Sequence, residues 1–201
     1  MLSSFIIASL SFKITNHATK QGELMGEITS FTPEKLIIAV LISREDFIEE
    51  LNKQLEDNFG PIDYKSEILN FNYTNYYNPE MGTNIKRFFL SFQNLISPDT
   101  LSDIKILTNT IENIFREDNN RQINLDPGML SMKSFILATT KDNGHRIPLQ
   151  KGIYGEVTLL FVNKKFQSLP WTYVDYQSED YSRVLNKIRV IYKNNIKSYN
   201  K

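Results

Sequence analysis

Residues 35–42 have the sequence KLIIAVLI, a nearly continuous run of apolar side chains. Such a run is typical of a central β-strand that is buried on both faces of a sheet. Ser43 and Asp46 follow at the spacing of a capping-box-like helix start. The pair Gly60-Pro61 then gives the usual signal for a helix end. The segment therefore predicts a strand–helix unit, and the apolar stripe of its helix comprises Phe47, Leu51 and Leu55.

The segments that follow extend this unit into a βαββαβ arrangement. Strands are predicted over residues 64–71 and 85–92. A second helix begins at Ser97-Pro98-Asp99, because proline in the first helical turn loses no hydrogen bond. A short strand over residues 121–125 completes the order. This order is that of a ferredoxin-like core, so the predicted fold class is α/β of the α+β kind.

The rest of the chain is predicted to add a helix, a β-hairpin and a terminal helix to this core. The triplet Asp126-Pro127-Gly128 suits the start of a third helix, which would continue through residues 135–137 with Asp126 as its N-cap. Three strands follow, over residues 145–149, 153–162 and 165–169, with a hairpin turn at Asn163-Lys164, and the terminal helix begins at Ser178. Since no repeat or linker interrupts the chain, residues 25–201 are predicted to form one domain.

The first 24 residues are predicted to be an extension outside this domain. Residues 1–12 have an apolar centre like that of a signal peptide, but they lack a basic segment and a small-residue cleavage site. An alternative is a native start at Met25, which would place residues 1–24 upstream of the protein. No apolar run reaches the roughly 20 residues of a membrane span. We therefore expect a cytoplasmic protein without a membrane partner.

The composition excludes several classes of function. Lysine and arginine together number 23, as do aspartate and glutamate, so no net charge favours nucleic acid and such a partner is not expected. The absence of cysteine excludes disulfides, iron–sulfur clusters and a thiol nucleophile. Because His17 and His145 are the two histidines, a multi-histidine zinc site is excluded as well. No metal site is predicted and no cofactor is identified, although carboxylates alone can hold a hard cation.

Several polar and aromatic segments stand out along the chain, namely FGPIDY (59–64), TNYYNPEMG (74–82), KRFFLSF (86–92), NLDPG (124–128), LATTK (137–141), HRI (145–147), GEVTL (155–159) and LPWTYVDY (169–176). These segments resemble those of one bacterial and archaeal family of uncharacterised proteins. The resemblance runs from about residue 35 to about residue 192. The family is a domain of unknown function, so the resemblance implies no activity. Some members carry an automatic GTP-binding label, but this chain lacks the G-x-x-x-x-G-K-[ST] phosphate loop of P-loop GTPases.

Candidate catalytic residues lie in two of these segments. Strand alternation over residues 153–162 places Glu156 and Thr158 on one face and Leu159 on the other. His145 begins the strand that we expect to pair with this one, so His145 and Glu156 are predicted to form a proton-transfer pair. Asp126 is the third candidate. The alternatives are a surface ion pair for Glu156, a structural hydrogen bond for His145 and helix capping for Asp126.

Candidate ligand-binding residues are cationic, aromatic or hydrogen-bonding. They are Lys141, Arg146, Tyr76, Tyr77, Thr158, Trp171, Tyr173 and Asp175. Lys141 and Arg146 suit a phosphate or carboxylate on the ligand, and Trp171 offers a stacking surface. The tyrosine-rich loop over residues 72–82 has the length and polarity of a flap over a ligand. Surface charges and core packing of the aromatic rings are the alternatives.

Two functions from different classes follow from these residues. The leading prediction is a protein that binds a small anionic metabolite or nucleotide in a polar cleft, and its narrower form is an acid–base enzyme. This prediction requires the loop over residues 73–82 to lie near His145. The alternative is a non-catalytic homo-oligomeric interaction module, in which the polar segments stabilise turns and strands.

Overall fold

Nine strands and four helices follow one another along residues 27–199, the part of the chain that the computed structural model describes. The strands are β1 (Glu34–Ile42), β2 (Ile62–Lys65), β3 (Leu69–Asn70), β4 (Lys86–Ile96), β5 (Ile123–Leu130), β6 (Ser134–Thr139), β7 (Ile147–Pro148), β8 (Tyr154–Val162) and β9 (Lys165–Ser168). The helices are α1 (Ile48–Phe59), α2 (Asn78–Met81), α3 (Leu101–Ile114) and α4 (Glu179–Tyr199). The predicted extension over residues 1–24 and the start at Met25 lie outside the described residues.

These strands form one antiparallel sheet in the order β2-β4-β1-β5-β6-β8-β7, with β3 paired to β4 and β9 paired to β8. β1 lies near the centre, and its residues from Leu36 to Ile42 are fully buried. The prediction of a central strand buried on both faces is therefore confirmed. The fold is mixed α+β, and its first six major elements follow the predicted strand–helix–strand–strand–helix–strand order. The ferredoxin-like label itself stays a prediction.

Helices cover both faces of the sheet, and β1 supplies side chains to both. The residues of one face, Leu36, Ile38, Val40 and Ile42, pack with Leu51 and Leu55 of α1 and with Ile104 and Ile111 of α3. The residues of the other face, Ile37 and Ala39, pack with Val184, Leu185, Ile188 and Tyr192 of α4. Successive residues of β1 thus alternate between two apolar cores, as strand geometry requires.

Ser43 does not cap the first helix. That helix is preceded by a 3₁₀ turn over Glu45–Phe47 whose N-cap position is Arg44, without a capping side-chain hydrogen bond. Ser43 Oγ instead donates to Oε1 of Gln122 at 2.8 Å. This bond connects the end of β1 to the chain just before β5, so a tertiary contact has replaced the predicted local cap.

The predicted third helix is wrong, because its residues form the β5–β6 hairpin. Asp126 is therefore not an N-cap but a residue within β5, opposite Ala39 of β1. A Cβ at Gly128 would lie 2.7 Å from the carbonyl oxygen of Ile136, so this glycine allows the two strands to approach closely. The pairing of β5 with β1 on its other side has overridden the local Asp-Pro-Gly helix signal.

The C-terminal hairpin and helix agree with the sequence more closely. Asn163 and Lys164 have φ values of 52° and 64°, as a type I′ turn between β8 and β9 requires. Ser178 Oγ accepts the backbone N–H of Tyr181 at 3.3 Å and so caps the start of α4. None of the helices described in residues 27–199 combines the length and apolar character needed to cross a membrane.

A bulge in β8 changes the predicted alternation of its side chains. Phe135 pairs with Leu159, whereas the next residue, Ile136, pairs with Val157, so Thr158 is the extra residue of the bulge. Glu156 and Leu159 consequently lie on the same face of the sheet, contrary to the regular alternation predicted from the sequence. The face they share is that of α4, because Leu159 packs in the α4 core.

Candidate functional site

A cavity of about 470 Å³, here called the cleft, opens where β6 separates from β5. The pairing of these two strands covers only Gly128–Leu130, so the chain diverges on the N-terminal side of Gly128. The polar lining comprises Tyr73, Thr74, Tyr76, Tyr77, Arg87, Lys105, Asn109, Glu112, Arg121, Asn124, Asp126, Thr139, Thr140, Lys141, Arg146, Glu156, Tyr173, Asp175 and Tyr176. Residues far apart in the chain therefore meet in a single concave and strongly polar site.

Strand register explains why several of these side chains converge. Arg87 lies opposite Leu41 of β1, and Asp126 lies opposite Ala39. Directly opposed residues of antiparallel strands point to the same face of a sheet. The odd-numbered residues of β1 lie on the face that α4 covers, since Ile37 and Ala39 pack in the α4 core. Arg87 and Asp126 thus project from the α4 face, as does Glu156.

Arg87 forms the floor of the cleft. Its side chain is 2% exposed, with Nη1 at 3.6 Å from Asp126 Oδ2 and Nη2 at 3.5 Å from Asp175 Oδ2. Both distances exceed the range of a good hydrogen bond. Arg87 Nε donates to the hydroxyl of Tyr181 at 3.1 Å, but Nη1 has no hydrogen-bond partner within residues 27–199. The guanidinium therefore has unused donors between two carboxylates.

The groups around Arg87 have shifted pKa values. Burial acts to lower the pKa of Arg87, but Tyr181, Tyr176 and the two carboxylates raise it on balance, so the guanidinium stays charged. Burial raises the pKa of Asp175, and Arg87 only partly opposes this shift. The pKa of Tyr176 is raised well above its ordinary value by burial, and its hydroxyl has no partner in the described structure. Such perturbed groups are typical of functional sites.

Glu156 organises one wall of the cleft. Its Oε2 lies 2.9 Å from Nε2 of His145 and accepts a hydrogen bond from Nε of Arg146 at 2.7 Å. The other carboxylate oxygen, Oε1, is buried without a partner among the residues described. His145 is stacked on Trp171 with 5.1 Å between the ring centroids. His145 and Arg146 thus fix the Glu156 carboxylate through Oε2, while Oε1 is unpaired.

Arg146 connects this wall to the loops beside it. Besides Glu156, it donates to the carbonyl oxygen of Lys141 and to the hydroxyl of Tyr173, both at 2.9 Å. Burial acts to lower its pKa, but Glu156 and Tyr173 raise the pKa on balance. Arg146 therefore positions residues around the cleft and has every nitrogen engaged by protein.

Lys141 and Tyr76 lie at the exposed rim. The ammonium of Lys141 lies 3.2 Å from the hydroxyl of Tyr76 and 4.4 Å from the centroid of its ring. Tyr77 packs edge-on against Tyr76, and burial raises the pKa of its hydroxyl. The tyrosine-rich loop thus lies beside Lys141 and lines the same cleft as Glu156.

Residues of α3 and its flanks complete the far side of the cleft. Glu112 accepts the backbone N–H of Leu125 at 2.7 Å, and Lys105 donates to the carbonyl oxygen of Leu125, also at 2.7 Å. Nη1 of Arg121 lies 3.5 Å from Oε2 of Glu112. Burial raises the pKa of Glu112, and Lys105 counteracts the shift. These charged groups are mutually compensated and hold α3 against β5.

Eight of the eleven residues singled out from the sequence line the cleft. They are Asp126, Glu156, Lys141, Arg146, Tyr76, Tyr77, Tyr173 and Asp175. His145 and Trp171 lie behind Glu156, and the indole N–H of Trp171 donates to the carbonyl oxygen of Val157 at 2.9 Å. Thr158 is fully buried and donates to the carbonyl oxygen of Glu156, so it lies outside the cleft lining.

Sequence reasoning missed Arg87, Glu112, Arg121 and Tyr176. Arg87 carries a signal that could have been used, since it is a charged residue followed by Phe88, Phe89 and Leu90 in a strand. Long charged side chains are seldom fully buried unless they are paired. Within residues 27–199 no group of three or more side chains is arranged to hold a metal ion.

Comparison with models of known protein families identifies a family that covers most of the chain. A sequence model of the DUF4416 family, a domain of unknown function, covers residues 32–192. The chain belongs to this family. The match includes every strand of the DUF4416 domain and every residue of the cleft lining, in agreement with the resemblance found from the sequence. No curated protein and no solved structure matches the chain significantly.

Proposed function

We propose that this DUF4416 protein binds a small anionic metabolite or nucleotide in the cleft. Three buried polar atoms on the lining carry the proposal, because none has a hydrogen-bond partner within residues 27–199. They are Arg87 Nη1, Glu156 Oε1 and Tyr176 Oη. Native proteins pair nearly all their buried polar atoms, so three such atoms around one cavity favour a polar ligand.

Lys141 is the residue best placed to bind the anionic group. Of the cationic side chains on the described lining, Lys141 is the one with no carboxylate oxygen within 4.0 Å. Its ammonium therefore has an uncompensated charge that a phosphate or carboxylate can satisfy. The ring of Tyr76 beside it offers an apolar face to a sugar or a base.

The dimensions of the cleft suit a metabolite rather than a macromolecule. A volume of about 470 Å³ lies within the roughly 300–1,000 Å³ of typical small-molecule sites. Its lining also mixes aromatic rings with charged groups, as sites that orient a polar ligand do.

Acid–base chemistry is the second part of the proposal. Glu156 Oε1 is the free oxygen of a carboxylate whose other oxygen contacts His145 and Arg146. A ligand group hydrogen-bonded to Oε1 would give its proton to this carboxylate, and His145, at 2.9 Å from Oε2, would be the second proton-transfer group of the pair. Asp126 is a second carboxylate on the lining, next to Arg87. The three residues would then act as the acid–base groups of an enzyme.

A thermal-shift panel tests the binding of an anion. Purified protein is heated with sugar phosphates, nucleotides and organic acids, each with and without magnesium. We expect a phosphorylated compound, at a concentration of about 100 times its Kd, to raise the melting temperature by about 5–11 °C. Lys141→Met should reduce this rise, because it removes the uncompensated cation.

Lys53→Met is the matched control, since Lys53 is exposed on α1 and lies outside the cleft lining. This variant should retain the full ligand-induced rise. The proposal would be contradicted if Lys141→Met left the ligand-induced rise unchanged. It would also be contradicted if no anionic compound raised the melting temperature.

A homo-oligomeric interaction module is the second candidate. The sheet ends at β7, where Ile147 is 61% exposed. An exposed edge strand with an apolar residue can pair with another chain. Sedimentation equilibrium of wild type and Ile147→Lys tests this candidate: a dimer that the substitution dissociates would support it, and a monomeric wild type would contradict it.

A further inference from the structure

We propose that the ligand of the cleft carries two neighbouring hydroxyl groups, which bind Asp126 and Asp175 across the guanidinium of Arg87. The class of ligand is a phosphorylated pentose, either free or within a ribonucleotide. This inference rests on the proposed anion binding and adds to it the part of the ligand that reaches the floor of the cleft.

The arrangement on the floor is acceptor–donor–acceptor. Asp126 Oδ2 lies 3.6 Å from one terminal nitrogen of Arg87, and Asp175 Oδ2 lies 3.5 Å from the other. A guanidinium is planar, so its two terminal nitrogens are neighbours and the two carboxylates flank them. The separations are those of an ion pair rather than a direct hydrogen bond. Arg87 Nη1 accordingly has no hydrogen-bond partner in residues 27–199.

The other hydrogen bonds of the carboxylates leave acceptor capacity. Asp175 Oδ1 accepts the backbone N–H of Tyr176 at 3.0 Å, and Asp126 Oδ2 accepts from the side-chain amide of Asn124 at 3.0 Å. Each carboxylate has about four lone-pair sites, so each can accept further hydrogen bonds. The hydroxyl of Tyr176 is also unpaired on this lining.

Hydroxyl groups match this floor better than ionic groups do. A phosphate there would be repelled by Asp126 and Asp175. An ammonium could pair with the two carboxylates, but it has no acceptor for the unpaired Nη1 of Arg87. A hydroxyl donates one hydrogen bond and accepts others. Two adjacent hydroxyls can each donate to a carboxylate while accepting from a terminal nitrogen of Arg87, which satisfies all three protein groups together.

The anionic group of the ligand would then bind at the rim of the cleft. Lys141 is exposed, whereas Arg87 is buried, so the uncompensated cation and the hydroxyl-binding floor lie at different depths of the cleft. Tyr76 and Tyr73 line the cleft as well, and their ring faces suit a sugar ring. A molecule with a phosphate at one end and a vicinal diol at the other fits both features.

Isothermal titration calorimetry with paired probes tests the inference on the full-length chain. The probes are ribose 5-phosphate against 2-deoxyribose 5-phosphate, and adenosine monophosphate against its 2′-deoxy analogue. We expect each ribose compound to bind about 10- to 100-fold more tightly than its deoxy partner, because loss of a hydroxyl leaves buried polar groups unpaired. If ribose 5-phosphate binds more tightly than adenosine monophosphate, the ligand is a free sugar phosphate. The opposite order indicates a nucleotide.

Asp126→Asn provides the second measurement, since it retains the shape of the side chain and removes its charge. In this variant the preference for ribose over deoxyribose should fall to about threefold or less, while both phosphates still bind. Equal binding of ribose and deoxyribose compounds by wild type overturns the diol inference and leaves the anion site intact. Unphosphorylated ribose is titrated as a further probe. If it binds as tightly as ribose 5-phosphate, the result supports the diol and overturns the anion site, and no binding of any probe overturns both.

Discussion

Arg87 determines the electrostatics of the cleft, although an apolar run follows it directly in β4. Phe88, Phe89 and Leu90 follow it and are fully buried. A buried cation is tolerated when opposite charges compensate it, and here Asp126 and Asp175 do so at 3.6 and 3.5 Å. The surrounding rings of Phe71, Phe89 and Tyr181 add favourable contacts to the guanidinium.

Replacing Arg87 by methionine should destabilise the protein. The variant leaves two partly or fully buried carboxylates without their cation, and breaking buried ion pairs in this way costs about 3–5 kcal/mol. Urea denaturation followed by circular dichroism measures the free energy of unfolding. Lys86→Met is the adjacent control and should change stability by less than about 1 kcal/mol, because Lys86 bonds only to Asn70 among the residues described. Equal effects of the two substitutions would contradict the assigned role.

The buried carboxyl group of Glu34 makes the stability of the protein depend on pH near neutrality. Burial raises its pKa from an ordinary value of 4.5 to about 7, and its Oε2 has no hydrogen-bond partner in the described part of the chain. Between these two pKa values the folded protein binds a proton that the unfolded chain has released. The contribution of Glu34 to stability therefore falls as pH rises from 4.5 to 7 and stays unfavourable above that range.

Glu34→Gln should remove this penalty. We expect the variant to be more stable than wild type by on the order of 1–2 kcal/mol at pH 8, with little difference at pH 4. Urea denaturation at a series of pH values measures the difference. A variant that is less stable than wild type at pH 8 would show that the Glu34 carboxylate is stabilising in its charged form.

At the same scale, the sequence predicted the members of the site better than their roles. Glu156, His145 and Arg146 meet because they lie close in sequence around β7 and β8, so local pattern was sufficient to group them. Asp126 was identified for its acidity, but its role as a cap depended on a helix that does not form. Arg87 was missed because a charged residue at the start of an apolar run does not indicate which groups will face it.

At the scale of elements, the β5–β6 hairpin is the main departure from the sequence prediction. Asp126-Pro127-Gly128 has the local chemistry of a helix start. The segment nevertheless pairs with β1 along residues 123–130, and this pairing partner is almost 90 residues away in the sequence. Local propensity contains no information about such a partner, whereas the apolar run of β1 identified itself as a strand.

Gly128→Ala distinguishes the hairpin from the predicted helix. In the hairpin a Cβ would lie 2.7 Å from the carbonyl oxygen of Ile136 and 2.8 Å from the ring of Phe135. We expect a loss of about 1–3 kcal/mol in the free energy of unfolding, measured by urea denaturation. In a helix, alanine would instead stabilise the protein relative to glycine.

Gly144→Ala is the control for this substitution, since a Cβ at Gly144 meets nothing within 4 Å among the described residues. It should alter stability by less than about 0.5 kcal/mol. A stabilising Gly128→Ala variant would contradict the hairpin.

At the scale of the whole molecule, a chain with no net charge brings charged side chains of both signs together in the cleft. The chain has 23 basic and 23 acidic residues, so its net charge gave no indication of a site. The order of the first strands and helices followed from periodicity and from helix start and stop signals. The cleft did not, because it forms where β6 departs from β5 and where α3, the tyrosine-rich loop and the segment before α4 meet.

Chemical-shift mapping by NMR tests whether a phosphorylated sugar binds in the cleft. Ribose 5-phosphate is titrated into ¹⁵N-labelled protein, and the shifts of assigned backbone amides are followed. We expect the largest shifts in residues 73, 74, 76 and 77, in residues 137–141 and in residues 173–176, which line the cleft, while α1 is unchanged. Shifts that centre on α1 or on another surface, or no shifts at millimolar concentration, would contradict it.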